Sequence, residues 1–275
     1  MEARPDVPVD QIDFTQPYAV DAATCRSFQE CGHAVVRGLA RPAEVAAFRP
    51  ALLEAAAAGR FEHRPLAQRD TYGRAFLQMC NLWQRSEQAR AFVFAHRFAQ
   101  VAADLLGVEA VRLYHDQALF KEPGGGFTPW HQDQFYWPLD TDQTITLWMP
   151  LVAVEEAMGP MVFAEGSHHR GHLGAFPIGD ESHRVFEEKI RSEGFSRGGA
   201  RRFDPGDASF HSGWVLHSAS GNQTEKMREV LTVIYFADGA KVTPLDHPNR
   251  QFDRDLWLPG CEPGTPAASP LNPVL

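Results

Sequence analysis

DPGDASFHSGWVLHSASGNQTEKMREVLTVIYFAD (residues 204–238) carries the pattern from which the fold is read. In its last run, residues 229–238, Val230, Thr232, Ile234 and Phe236 fall on one side of an extended chain and Leu231, Val233 and Tyr235 on the other. Side chains alternate across a strand, so a run that is apolar on both sides predicts a strand covered on both faces. Ahead of it, Pro205, Gly206 and Asp207 read as a turn into a strand carrying His217, and a polar loop then leads to Arg228 at the start of the buried strand.

Upstream, residues 111–121, 128–137, 144–154 and 159–165 are similar short β-like runs separated by Gly and Pro. Many short strands at regular spacing predict a β-sandwich or jelly-roll barrel. Before Gly107 the pattern is helical. Asp21 caps a helix that Gly32 stops, a strand-like HAVVRG follows, a second helix runs from Pro42 to Gly59, and Ser86 opens a third that ends at Gly107. The expected organisation is one domain over residues 1–275. It has a mainly helical part at 1–107 packed on a β core at 108–240, a polar insertion or lid near 178–202, and a tail at 241–275 whose Pro-rich residues 259–273 lie on the surface.

Composition narrows the function. With 44% apolar and 22% charged residues the 275-residue chain has enough material for a core. A net charge of −9, with Lys and Arg scattered, argues against a nucleic-acid partner, which needs a clustered basic face. No apolar run is long enough to span a bilayer, the stretch MEARPDVPVDQIDF lacks a signal-like apolar segment, and the four cysteines form no paired spacing. The expectation is a cytoplasmic protein acting on a small molecule.

Within TPWHQDQFYW (residues 128–137), His131 and Asp133 stand two apart on an expected strand, so both point to the same side. A hydrogen-bonded pair inside a sheet would look the same. A second imidazole from the 204–238 stretch changes the balance, because two His and one carboxylate leave open positions on a metal and suit Fe(II) oxygenases, or zinc with one water. His217 is the preferred second imidazole, with His211 as competitor on shared strand parity. A buried Arg228 would need an anion, which a dicarboxylate could supply in two-pronged geometry. His168, His169 and His172 read as a solvated turn, and Lys121 with its Gly-rich neighbours as a hairpin loop.

WHQDQFYWPLD (130–140), TLWMPL (146–151), FAEGSHHRG (163–171) and the PGD to Arg228 stretch together resemble the phytanoyl-CoA dioxygenase family of 2-oxoglutarate-dependent oxygenases. The resemblance covers roughly Arg112 to Asp238, with weaker likeness around FQECGHAVVRG (28–38). It implies a double-stranded β-helix core, mainly β with flanking helices. It also implies Fe(II) held by His131, Asp133 and His217, O₂ as oxidant, and 2-oxoglutarate as co-substrate with its far carboxylate on Arg228. Gln117 and Trp148 match positions lining the co-substrate pocket. Ala219 departs from the small hydroxyl residue that many relatives carry there, which puts that hydrogen bond in doubt and makes the adjacent Ser218 the candidate hydroxyl. The resemblance further implies oxidation of a substrate C–H bond, hydroxylation being the default, with release of succinate and CO₂. A carboxylate at 133 favours oxygenation over halogenation.

Phe135 and Trp137 beside the near ligands, with Gln78 and Arg74 from the helical part, are the candidate substrate pocket, suggesting a partly hydrophobic small molecule of secondary metabolism. Two rival readings remain: a cupin-type divalent-metal hydrolase or isomerase without 2-oxoglutarate, and a non-catalytic jelly-roll binding module.

Overall fold

The computed structural model describes residues 8–60 and 62–275, so the first seven residues of the N-terminal stretch, and the leader reading resting on them, lie outside the described residues. Helix α1 (Ala22–Cys31) starts where Asp21 accepts the amide of Thr24 and stops at Gly32, whose φ of 80° is left-handed. Strand β1 (His33–Val36) and helix α2 (Pro42–Ala58) follow as expected. A short helix α3 (Thr71–Ala75) and strand β2 (Leu77–Cys80) were not anticipated.

The single helix expected from Ser86 to Gly107 is two, α4 (Glu87–Val93) and α5 (His96–Leu106). Ser86 does cap the first and Gly107 does end the second, but Ala95 leaves the helical region at ψ 111°. The apolar spacing survives this break because both helices bury into the same core, where the rings of Phe92 and Phe98 lie 5.3 Å apart.

The remaining elements are β3 (Val111–Phe120), β4 (Thr128–His131), β5 (Thr144–Pro150), β6 (Met161–Ala164), α6 (Asp180–Glu193), β7 (Arg197–Gly198), β8 (Ala208–Ser212), β9 (His217–Ala219), β10 (Val230–Ala237) and α7 (Pro248–Trp257). They form a six-stranded antiparallel sheet in the order β1-β8-β5-β10-β3-β2 and a four-stranded one, β4-β9-β6-β7. This is the mainly β architecture with flanking helices that a jelly-roll core requires.

Register explains which side chains face inward. Thr232 on β10 sits opposite Gln117 on β3 and Trp148 on β5, and one step along, Ile234 sits opposite His115 and Thr146, itself opposite His211 on β8. Those residues line the cavity between the sheets, apart from Ile234's outer neighbours Val233 and Leu231, which join Leu147, Phe210 and the α5 side chains Phe98 and Leu105 in the main core. In the small sheet, His217 faces His131 and Phe163, while Ala219 faces Thr128 and Met161. Its outer side chains Trp130, Ala164 and Leu216 pack on Phe186 and Ile190 of α6. Burying each of those two α6 side chains contributes about 1.5–3 kcal/mol.

Several expectations need correction. Residues 178–202, expected as a polar insertion or lid, hold the amphipathic helix α6, which covers the small sheet. The strand read at 128–137 ends at His131, and Asp133 opens a 3₁₀ turn. Residues 207–218 hold two strands on different sheets, so His211 and His217 do not share one strand. Residues 259–273 are mostly exposed, as a surface tail would be, but are pinned at Ala267 and Asn272, which are buried, with Asn272 donating to the carbonyl of Leu113 at 3.0 Å. No helix among the described residues is long and apolar enough to cross a membrane, and the four cysteines are free thiols.

Candidate active site

His131 ends β4, Asp133 begins the turn after it, and His217 begins the paired strand β9, so hydrogen bonding between two strands brings distant stretches together. One ligand atom from each lies within 4.8 Å of the others. Nε2 of His131 is 3.4 Å and Nε2 of His217 3.6 Å from Oδ1 of Asp133. Atoms bound at about 2.0–2.2 Å to one ion are separated by roughly 3–3.5 Å when mutually adjacent, so the spacing fits a shared metal. Nδ1 of His131 meets the carbonyl of Pro129 at 2.7 Å and Nδ1 of His217 that of Val215 at 3.0 Å. Those contacts place the ring proton on Nδ1 and leave both Nε2 lone pairs aimed at the common point.

The electrostatics agree. Burial alone would raise the carboxyl of Asp133, but His217, His131 and His211 outweigh it and hold the group well below the usual range, keeping it anionic. Burial, then the neighbouring His131, pushes His217 well below the usual imidazole value, keeping it neutral and able to ligate. The second oxygen of Asp133 accepts from the Thr146 hydroxyl at 3.3 Å and lies 3.4 Å from Nε2 of His211. His211 thus lies against the far side of Asp133, a wall histidine beside the cluster and not one of its three members.

Arg228, which lines the cavity, is 1% exposed, and its neighbour Lys121 is fully buried. The two are paired in a β-bridge. No carboxylate among the described residues pairs with either. Arg228 donates to the carbonyl of Gly159, its Nε has no partner, and its guanidinium lies 5.6 Å from the centre of the Trp148 ring. Gly159 must be glycine: its φ is +73° and a Cβ there would stand 2.1 Å from the carbonyl oxygen of Ser220. Lys121 donates to the carbonyl of Gly126 at 2.5 Å and lies 3.4 Å from the Thr128 hydroxyl. Burial, and then Arg228, pushes its ammonium down to about 6, and burial brings Arg228 down to about 9. A desolvated guanidinium with an unpartnered Nε, beside an amine that regains its charge when an anion arrives, suits an anion site.

The cavity joining these ends has a volume of about 790 Å³. Gln117, Trp148, Trp137 and Gln78 line it. Tyr72 donates to Gln78, and Gln78 to Oε1 of Gln117 at 2.6 Å, which leaves Gln117 its Nε2 to offer inward. Three expected residues do not line it. Ser218 points away from the inward-facing His217 and Ala219, and its hydroxyl donates to the carbonyl of Thr128. Phe135 stacks on His247 with centroids 5.0 Å apart, supporting a loop, and Arg74 is exposed beside Gly126. Lys121, read as part of a hairpin loop, is instead buried just past the end of β3 and bridged to Arg228; it shares alternation with His115 and Gln117, the signal that could have marked it as buried. The contribution of α7 was hidden by the proline-rich sequence after it.

The sequence profile of the phytanoyl-CoA dioxygenase (PhyH) family matches residues 28–230. A probable alpha-ketoglutarate-dependent hypophosphite dioxygenase of Stutzerimonas stutzeri is 27% identical over 161 residues, which is 54% of this chain and 53% of that protein. The match therefore spans about half the length of the curated relative. The non-heme alpha ketoglutarate dependent carbocyclase SnoK from nogalamycin biosynthesis superposes with a TM-score of 0.76 at 23% identity, over 94% of this chain and 99% of that one. The epimerase SnoN, solved with Fe3+, alpha ketoglutarate and nogalamycin RO, gives 0.75 at 24% identity, over 92% and 97%. At such identities the likeness shows a shared fold.

Proposed function

Because the chain belongs to the phytanoyl-CoA dioxygenase family, we propose that it is an Fe(II)-dependent oxygenase that uses 2-oxoglutarate and O₂ to oxidise a small, partly hydrophobic organic molecule. The observation that carries this reading is the pairing, in one cavity, of a two-histidine, one-carboxylate cluster with a buried anion site. A hydrolytic metal site has use for the first but not the second.

His131, Asp133 and His217 would hold the iron, which, with the co-substrate and O₂, supplies the oxidising chemistry that yields succinate and CO₂. Arg228 and Lys121 would bind the far carboxylate of 2-oxoglutarate, and Gln117 and Trp148 would offer N–H groups along the way. Thr146 and His211 would fix the rotation of Asp133, so that one oxygen faces His131 and His217 and the other faces Thr146 and His211. Trp137 and Trp148 keep water from the reacting centre. Hydroxylation is the outcome we assign, since holding a C–H bond in this apolar cavity requires no further protein group. Four free thiols fit a reducing, cytoplasmic setting.

Anaerobic addition of 2-oxoglutarate to the Fe(II)-loaded protein should produce a weak visible charge-transfer band, and admission of O₂ should release succinate. Neither signal, in a protein that retains zinc tightly, would instead support a hydrolase or isomerase.

A further inference from the structure

Helix α7 lines the same cavity as Arg228, packed on His115 in the first half of β3, whereas the bridge between Lys121 and Arg228 lies just past the other end of that strand. The helix contributes Asp253 and Trp257 to the lining, with Phe252 and Leu256 at the rim, 64% and 40% exposed. Asp253 is 8% exposed, accepts a hydrogen bond from the Tyr114 hydroxyl at 3.0 Å through one oxygen, and has no cationic partner among the described residues. The nearby arginines of the same helix are engaged elsewhere: Arg250 with Asp246, and Arg254 with Asp255 and Glu262. His115 stacks on Trp257 with centroids 4.4 Å apart, but burial pushes its imidazole down to about 4, so it adds no positive charge at neutral pH. Tyr72, Phe76, Tyr136 and Trp137 supply further aromatic surface.

From this geometry we propose that the substrate is a ring-bearing organic amine whose ammonium group is received by Asp253, the residue that orients it against the iron face. The inference rests on the oxygenase reading and names the substrate class for the same site. A carboxylate buried without a cation is costly, and a bound ammonium removes that cost. Aromatic walls attract a cation and also cover an apolar ring. The lining carries Arg228, buried and without a carboxylate partner among the described residues, for an anionic co-substrate and Asp253 on α7 for a cation, while its other arginine, Arg85, is exposed to solvent. Burial, relieved in part by Tyr114 and reinforced by Asp133 across the cavity, raises the Asp253 carboxyl to about 7, a group ready to ionise when an ammonium arrives.

The test uses 2-naphthylmethylamine and its uncharged counterpart 2-naphthalenemethanol, titrated calorimetrically into the protein loaded with Mn(II) and 2-oxoglutarate, and again into metal-free protein. The amine should bind at least tenfold more tightly than the alcohol. Asp253→Asn should bring the amine to the affinity of the alcohol while leaving the alcohol unchanged. Equal binding of the two probes to the unaltered protein, no binding of the amine, or a preference that survives in D253N overturns the proposal. If D253N does not fold, the ratio in the unaltered protein decides. The metal-free arm separates this result from the oxygenase reading: a preference for amine without any 2-oxoglutarate-dependent band upholds the subsite and rejects the oxygenase, and the reverse pattern rejects only the subsite.

Discussion

Arg228 and Lys121 are buried side by side, and burial with the neighbouring guanidinium drives the proton off Lys121, so their residue-scale consequences run in opposite directions for folding and for binding. Arg228→Ala should raise the 2-oxoglutarate concentration needed for half-maximal succinate release by tenfold or more, since a charge-assisted contact contributes about 1.5–3 kcal/mol. An unchanged requirement would move the anchor elsewhere. For Lys121 the folded value near 6 lies below the ordinary 10.5, so between those values the unfolded chain binds more protons and stability rises with pH. A carboxylate placed beside Lys121 restores its charge, and binding should therefore take up a proton. Calorimetry at pH 7.5 in buffers of differing ionisation enthalpy should show uptake approaching one proton, lost in Lys121→Met; zero uptake in the unaltered protein refutes the assignment. At the metal, His217→Ala should abolish iron retention while His211→Ala keeps it, as read by metal content after desalting. The reverse result would exchange their roles. That His131, Asp133 and His217 converge, with Arg228 buried in the same cavity, was legible in the sequence because each sits in a short stretch with a recognisable neighbourhood. Ser218 was misplaced because a strand alternates: the hydroxyl next to His217 must point away from it.

At the scale of elements, α7 is held to the sheet by the stack of Trp257 on His115 and by the bond between Tyr114 and Asp253, while its Phe252 and Leu256 stay in water. An element with so few buried contacts belongs to the low-stability end of the molecule. Trp257→Ala should speed amide exchange across residues 248–257 by about tenfold, roughly 1.4 kcal/mol of local opening, and leave α5 unchanged. Equal acceleration in α5 would mean global destabilisation and would deny α7 its independence. Neither α7 nor α6 was foreseen, since both are strongly polar helices whose few apolar residues show a period only once their partners are known. Trp130 and Leu216, for example, explain Phe186 and Ile190 on α6. By contrast, β10 declared itself through apolar residues on both faces, and the split of α4 from α5 stayed invisible because Phe92, Ala95, Ala99, Ala102 and Leu105 keep three- and four-residue spacing across a non-helical Ala95.

At the scale of the whole molecule, the two ends of the cavity belong to different sheets. All three ligand residues lie on or just after β4 and β9 of the small sheet, whereas Arg228, Lys121, Gln117 and Trp148 lie on or beside β3, β5 and β10 of the large one. A metal alone therefore tightens one sheet's site, and a dicarboxylate alone finds its cations but no second anchor. Together they tie the sheets across the cavity, and the coupling must be reciprocal, each ligand raising the affinity of the other by the same factor. A ligand at 100 times its dissociation constant stabilises by about 2.7 kcal/mol, so a rise in coupled affinity reads out directly as Tm. With redox-inert Mn(II) and 2-oxoglutarate, the Tm shift from both ligands should exceed the sum of the separate shifts, and the excess should vanish in both His217→Ala and Arg228→Ala. Strictly additive shifts would show that the ligands do not share one cavity, and the bridge between the sheets would have to be abandoned.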